Sequence, residues 1–267
     1  MTLARYALDD LLAPTTVADR LARLRTEGLA DETGLTFVLD RVEELVHDSP
    51  KAADELAALV EAAAAQHPDL LARSRYLRAR VLTERGELDA ALRLIEQARA
   101  GWWSAGSLLP ALRTDLGRMQ VLDDLGRHRE AAALGVELLA ALDAVSLAPG
   151  DDPELHRWLS AATWDNIGVA TGFLGEHERA ISAFERSEEV YRSLGMPDEV
   201  ARPMANRGVE LLRLGRAREA RAVLGVAAEA FAALCDQAEV RRGSPDRSVP
   251  RRPPRRPVAG WRSHRRL

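Results

Sequence analysis

The chain has 267 residues, 46% of them hydrophobic but only 4% aromatic, which is enough apolar material for one large domain or an extended repeat array. Its lone cysteine, Cys235, excludes an intramolecular disulfide, and no run of ~18 uncharged apolar residues would cross a membrane. The net charge of -4 conceals ten arginines against three acids from residue 236 onward; the remainder, with 27 basic and 38 acidic residues, is too acidic for a nucleic-acid platform.

Ala and Leu outnumber β-branched residues, a bias toward helix because their side chains lose little freedom there. In chain order, two short helices near residues 2–12 and 16–28 are expected to cap the N-terminal end (1–30). A divergent helix pair follows in 31–68, with helices over 35–47 and 50–66; Ser49 is the expected N-cap and Pro50 the first helical residue. Residues 69–236 carry four repeats, interrupted by connectors at 101–110 and 146–153. From 237 to 267 the sequence turns to Arg, Pro and Ser without periodicity, and disorder is expected.

The repeats announce themselves in RGELDAAL, LGRHREAA, LGEHERAI and LGRAREAR. Their turn glycines, Gly86, Gly126, Gly175 and Gly215, are 40, 49 and 40 residues apart. Each is expected to end a first helix in a left-handed conformation, with acids opening the next. Five residues later stand Ala91, Ala131, Ala180 and Ala220, small enough to let two antiparallel helices approach. Seven residues before the glycines a small residue is expected, and nine after them a large one. Ala79 with Ile95, Gly168 with Phe184 and Gly208 with Leu224 obey; Met119 with Gly135 does not, so the second repeat reads as degenerate.

Trp164, Ile167, Gly168, Gly175, Ala180, Phe184 and Ser187 fall on the spacing of the tetratricopeptide repeat family, which the chain resembles over about residues 70–235. The family's tyrosine is replaced by Leu82, Leu122, Thr171 and Leu211, and the period exceeds the usual ~34 residues, as in long-repeat bacterial members. The resemblance implies an all-α, right-handed superhelical solenoid of antiparallel helix pairs whose concave groove binds a protein or peptide. It also resembles the arrays of bacterial proteins bearing a caspase-like CHAT domain or a transcription-activation module. Three functions follow: a cytoplasmic adaptor, a truncated sensory part of a larger protein, or nucleic-acid association through the basic tail.

Chemistry-bearing motifs are missing. Lys51 is the only lysine and no phosphate-binding loop surrounds it; a nucleophile elbow at residues 102–106 lacks its first glycine. No enzyme, cofactor or metal site is expected; the six histidines are scattered, and Cys235 reads as a small buried hydrophobe. Asn166 and Asn206, one repeat apart, are positioned either to hold a ligand's backbone amides or to bond neighbouring repeats. Arg73, Arg80, Arg113, Arg202 and Arg213 are expected to face the groove. Gln120, Asn166 and Arg202 partly resemble a carboxylate clamp, although Leu116 and Asn206 replace its other basic residues. Of Trp102 and Trp103, adjacent in the expected connector, one should pack and one should be exposed.

Overall fold

The computed structural model describes the backbone of residues 9–145 and 152–243, with side chains of residues 10–145 and 152–234. It contains helices α1 (Asp9–Leu12), α2 (Val17–Thr26), α3 (Glu32–Asp48), α4 (Pro50–Ala63), α5 (Pro68–Glu84) and α6 (Leu88–Ala105). These continue into α7 (Leu108–Asp124), α8 (His128–Ala144), α9 (Pro153–Phe173), α10 (His177–Ser193), α11 (Pro197–Arg213) and α12 (Ala217–Gly243). Each helix from α3 to α12 packs on the next, and α3, α5, α7, α9 and α11 also touch one another in sequence. That second line of contacts makes one face of the stack from odd-numbered helices alone: a tetratricopeptide-like solenoid. Among the described residues there is no strand, and no helix is long and apolar enough to cross a membrane.

The turns follow from local chemistry. Gly86, at φ 77°, lets its N–H bond the Thr83 carbonyl at 3.0 Å while the Glu87 N–H reaches back to Leu82 at 2.9 Å, satisfying two carbonyls left over by α5. The same two bonds recur around Gly126, Gly175 and Gly215. The residue whose carbonyl accepts from the N–H just after the glycine is the one that replaces the family's tyrosine: Leu82, Leu122, Thr171 or Leu211. The alanines five residues beyond each glycine are all fully buried.

Within each pair, a small residue on one helix receives a large one from the other. A Cβ placed on Gly168 would lie 2.5 Å from the Phe184 ring, and one on Gly208 would lie 2.5 Å from Leu224. The second repeat, read from sequence as degenerate, is instead reversed. Met119 on α7 is the large partner and Gly135 on α8 the small one: a Cβ on Gly135 would meet the Met119 methyl at 2.7 Å and Ile167 at 2.5 Å. The volume is conserved and its ownership exchanged.

Charged bonds tie neighbouring helices. Arg78 reaches Asp54 at 2.9 Å and Glu61 at 2.7 Å on α4, and Arg207 on α11 reaches Glu188 on α10 at 2.7 Å. Burial opposes ionisation of Glu61, but Arg75 and Arg78 outweigh it and hold the carboxyl below its ordinary value. Near the N-terminus, Leu11 and Leu24 are buried in one cluster with Leu35, Leu39, Leu56 and Leu77.

Several sequence expectations are corrected. The connector expected at 101–110 is helical almost throughout: α6 runs to Ala105, α7 begins at Leu108, and only Gly106 and Ser107 link them. Gly101 is an interior helical residue, and a Cβ placed on it would lie 3.2 Å from the Ala72 Cβ. Ser49 precedes Pro50 as expected, but its side chain makes no capping bond. Helix α12 continues to Gly243, beyond the boundary expected at 237, and no glycine or proline stands between residues 237 and 242 to end it sooner. Residues 146–151 of the second connector, the Cys235 side chain and the basic tail after residue 243 lie outside the described residues.

Candidate functional site

Counting back from the turn glycines assigns the face formed by the odd-numbered helices. Thirteen residues before them stand Arg73, Arg113, Ala162 and Arg202; ten before, Tyr76, Leu116, Asp165 and Ala205; nine before, Leu77, Gly117, Asn166 and Asn206; six before, Arg80, Gln120, Val169 and Val209. Helical spacing puts these positions on adjoining turns of one surface. A cleft opens there, lined by Tyr76 and Arg80 from α5, Arg113, Leu116 and Gln120 from α7, and Trp158 and Asn166 from α9. A second depression shares Tyr76 and Arg113 with it and extends to Arg73, Trp102 and Leu155. Tyr76 meets Trp102 edge-on, with ring centroids 6.0 Å apart.

The anticipated groove residues therefore divide. Asn166, Gln120, Arg80 and Arg113 converge on the first depression, and Arg73 lines the second while bonding Asp40 at 2.6 Å and Glu43 at 3.0 Å on α3. Arg202 and Asn206 do not join them. Both bond the carboxylate of Asp165 on α9, which is essentially sealed from solvent. Burial pushes the Asp165 carboxyl up against the opposing pull of Arg202 and Asn206. Asn206 thus links adjacent repeats, and the partial carboxylate clamp loses its third member, Arg202. Arg213 is engaged by Glu210 at 2.8 Å.

Asp165 and Tyr76 escaped the sequence reading. Asp165 is the one acid in a register otherwise held by Tyr, Leu and Ala, and an arginine recurs in three of the four positions thirteen residues before the glycines. Both signals were available once the repeats were aligned position by position.

The tryptophans separate as expected: Trp102 is 7% exposed and Trp103 is 53% exposed beneath the Arg99 guanidinium, 5.5 Å from its ring centre. Both lie within α6, however, not in a connector. Trp158 and Trp164 are partly buried against the core of repeats two and three, with Arg186 over the Trp164 ring at 4.7 Å.

Histidines stand at the seams between repeats. His128, the first residue of α8, holds Asp123 Oδ1 at 2.9 Å and stacks on Phe173 of the next repeat at 4.5 Å. His177, equivalent in register, holds Glu210 of the next repeat at 2.7 Å. Burial pushes the Asp123 carboxyl up to about 6, against the lowering effect of His128. A carboxyl raised from 3.8 takes up its proton more readily in the folded chain than in the unfolded one. Its contribution to stability is therefore complete below about 3.8 and is lost as pH rises through about 6. Asp123→Asn should gain on the wild type by on the order of 1 kcal/mol between roughly pH 4 and roughly pH 7 in urea titrations. A stability difference independent of pH would show that this carboxyl is not perturbed.

No family model and no curated protein matches the sequence. Solved structures do. BtubC (BKLC) from P. vanneervenii aligns with a TM-score of 0.64 at 18% identity, over 91% of this chain and 97% of that one. A Rap protein complexed with competence and sporulation factor aligns with a TM-score of 0.64 at 14% identity, over 88% of this chain and 64% of Rap. Kinesin light chain TPR-like repeats from Podosopora anserina align with a TM-score of 0.55 at 17% identity, over 83% and 98% of the two chains. At these identities the likeness is one of fold, and the fold is that of tetratricopeptide-like repeat proteins.

Proposed function

We propose that this chain is a protein-binding scaffold without catalytic chemistry, whose ligand is an extended segment lying along the concave face from α3 to α9. The observation carrying this reading is the cleft itself, where Tyr76, Arg80, Arg113, Gln120, Trp158 and Asn166 from three successive repeats surround one open volume. Aromatic and aliphatic area supplies affinity there, and amide and guanidinium donors orient a backbone. The structural likeness to a Rap protein, solved in complex with competence and sporulation factor, supports a ligand-binding role for such an array. A long, rigid surface assembled repeat by repeat suits such a ligand. The reading places the protein in the cytoplasm, in keeping with its single cysteine.

The test pairs two asparagines that the sequence treats as equivalent. Bait protein immobilised in cell extract should retain a defined partner, identified by mass spectrometry. Asn166→Ala should lose that partner while its melting temperature stays within about 2 °C of wild type. Asn206→Ala should keep the partner and melt several degrees lower, because it strips a donor from a buried carboxylate. Val136→Ser, on an exposed position of α8, serves as the neutral control. Retention of the partner by Asn166→Ala would contradict the groove assignment.

A further inference from the structure

Helix α12 presents a face that is covered in the earlier pairs. Counting forward from each turn glycine, the tenth residue is Glu96, Val136, Glu185 or Gly225. Counting back, the eighth residue on the odd-numbered helices is Arg78, Arg118, Ile167 or Arg207. The two positions are matched across the seams. Arg118 lies 4.0 Å from Glu96 and Arg207 bonds Glu185 at 3.2 Å; where the tenth residue is Val136, the eighth on the next repeat is Ile167. Arg207 also bonds Glu188 at 2.7 Å, and Ala228 stands in that position on α12. A helix of the repeat kind laid on α12 would therefore bring its arginine to Gly225 and Ala228, where no carboxylate waits.

The face that α12 offers instead is exposed and self-complementary. Tyr191 of α10 is fully buried, clustered with Val200 and Met204 of α11, whereas Phe231, its equivalent forty residues later, is 42% exposed. Arg221, Ala222, Ala228 and Glu229 are exposed as well, and a Cβ placed on Gly225 would meet nothing within 4 Å. Arg221 and Glu229 make no ion pair among the described residues, and eight residues apart on one helix they stand ~12 Å from each other. Gly225 lies midway between them.

That symmetry selects the occupant. If two α12 helices cross antiparallel at Gly225, Arg221 of each meets Glu229 of the other, twice over, and Ala222 meets Ala228. Phe231 of each comes level with the first turn of the other, beside Arg218 and Ala222, where a ring and a guanidinium attract. The bare backbone at Gly225 permits an axial separation near the short end of the usual range, about 8 Å. A parallel pair would set Arg221 on Arg221 and Glu229 on Glu229.

We propose that the exposed face of α12 binds a second copy of this chain across a two-fold axis at Gly225, with Arg221 and Glu229 forming reciprocal ion pairs. A contact of this kind uses the same patch on both copies and closes on itself. The cleft lined by α5, α7 and α9 takes no part in it, so the dimer carries two.

Sedimentation of the full chain at increasing concentration should show a particle approaching twice 29.3 kDa. One helix on another is a small interface, so the equilibrium should fall in the micromolar range. Glu229→Arg and Arg221→Glu should each weaken association at least about tenfold, because each turns two attractions into two repulsions. Mixing the two variants should restore association to near the wild-type affinity, since every facing pair is then Arg against Glu. Both positions are exposed, and recovery in the mixture would itself show that neither change had unfolded the chain. A mass of one chain at every concentration would overturn the proposal. So would a dimer indifferent to Glu229→Arg, which would place the contact on another surface, such as residues 244–267. Failure of the mixed variants to associate would overturn the antiparallel pairing.

Discussion

Arg202→Ala should lower the free energy of unfolding by about 3–5 kcal/mol, the largest loss expected from any single charged residue on the concave face. Its guanidinium is the cationic partner of Asp165, whose side chain is only 2% exposed, and Asn206 alone would remain to bond that carboxylate. Attraction within the pair does not have to exceed the cost of dehydrating both ions for the prediction to hold. Removing one partner is costly because the other stays behind, buried and charged. Burial already pushes the Asp165 carboxyl upward, so the orphaned acid can escape by taking up a proton. Destabilisation should therefore be greater at roughly pH 8 than at roughly pH 5.5. Replacing both residues with apolar ones, as in Asp165→Leu with Arg202→Met, should restore much of the loss. Urea titration of the four proteins supplies the measurement. A loss below ~1 kcal/mol would return Arg202 to the solvent-facing role assigned to it from sequence.

Gly168→Met should cost about 3 kcal/mol and Phe184→Gly about 3–5 kcal/mol, yet the double variant should be more stable than Phe184→Gly alone. The first change drives a side chain into the Phe184 ring, which is 1% exposed and cannot retreat to solvent. The second opens a cavity in the same place. Together they reproduce the arrangement that Met119 and Gly135 adopt one repeat earlier. Helix propensity nearly cancels, since one glycine is removed as another is introduced. A coupling of at least ~2 kcal/mol in the double-mutant cycle is expected, beyond what independent sites show. Additive losses would mean that the second repeat owes its packing to its neighbours and not to the exchange of sizes.

These two cases mark where sequence is informative and where it is not. The turn glycines and the buried alanines were legible because each is dictated locally, by a left-handed residue or a close helix approach, and then repeats at a fixed interval. The link at Gly106 and Ser107 was missed because the whole span from Gly101 to Pro110 was read as a connector. Gly101 is instead an interior residue of α6, and Pro110 occupies an early helical position of α7, where its missing N–H costs nothing. The exchange between Met119 and Gly135 escaped because each position was compared with a template separately, while packing conserves their sum. In the groove, residue type could nominate Asn166 and Asn206 but could not distinguish them. What separates them is Asp165 one helix away, a contact across 41 residues that no local pattern encodes.

On the groove reading proposed above, that acid also sets a ruler for the ligand. With Arg202 and Asn206 drawn toward Asp165, the receptive part of the concave face is bounded by α3 and α9, four helices separated by three intervals. Packed helices lie roughly 8–10 Å apart, so the track measures about 24–30 Å. An extended chain advances ~3.3 Å per residue, and seven to nine residues, to within about one, would fill it. A recognition element of that length is a linear motif and not a folded domain, and it fits within one flexible loop or one free terminus of its owner.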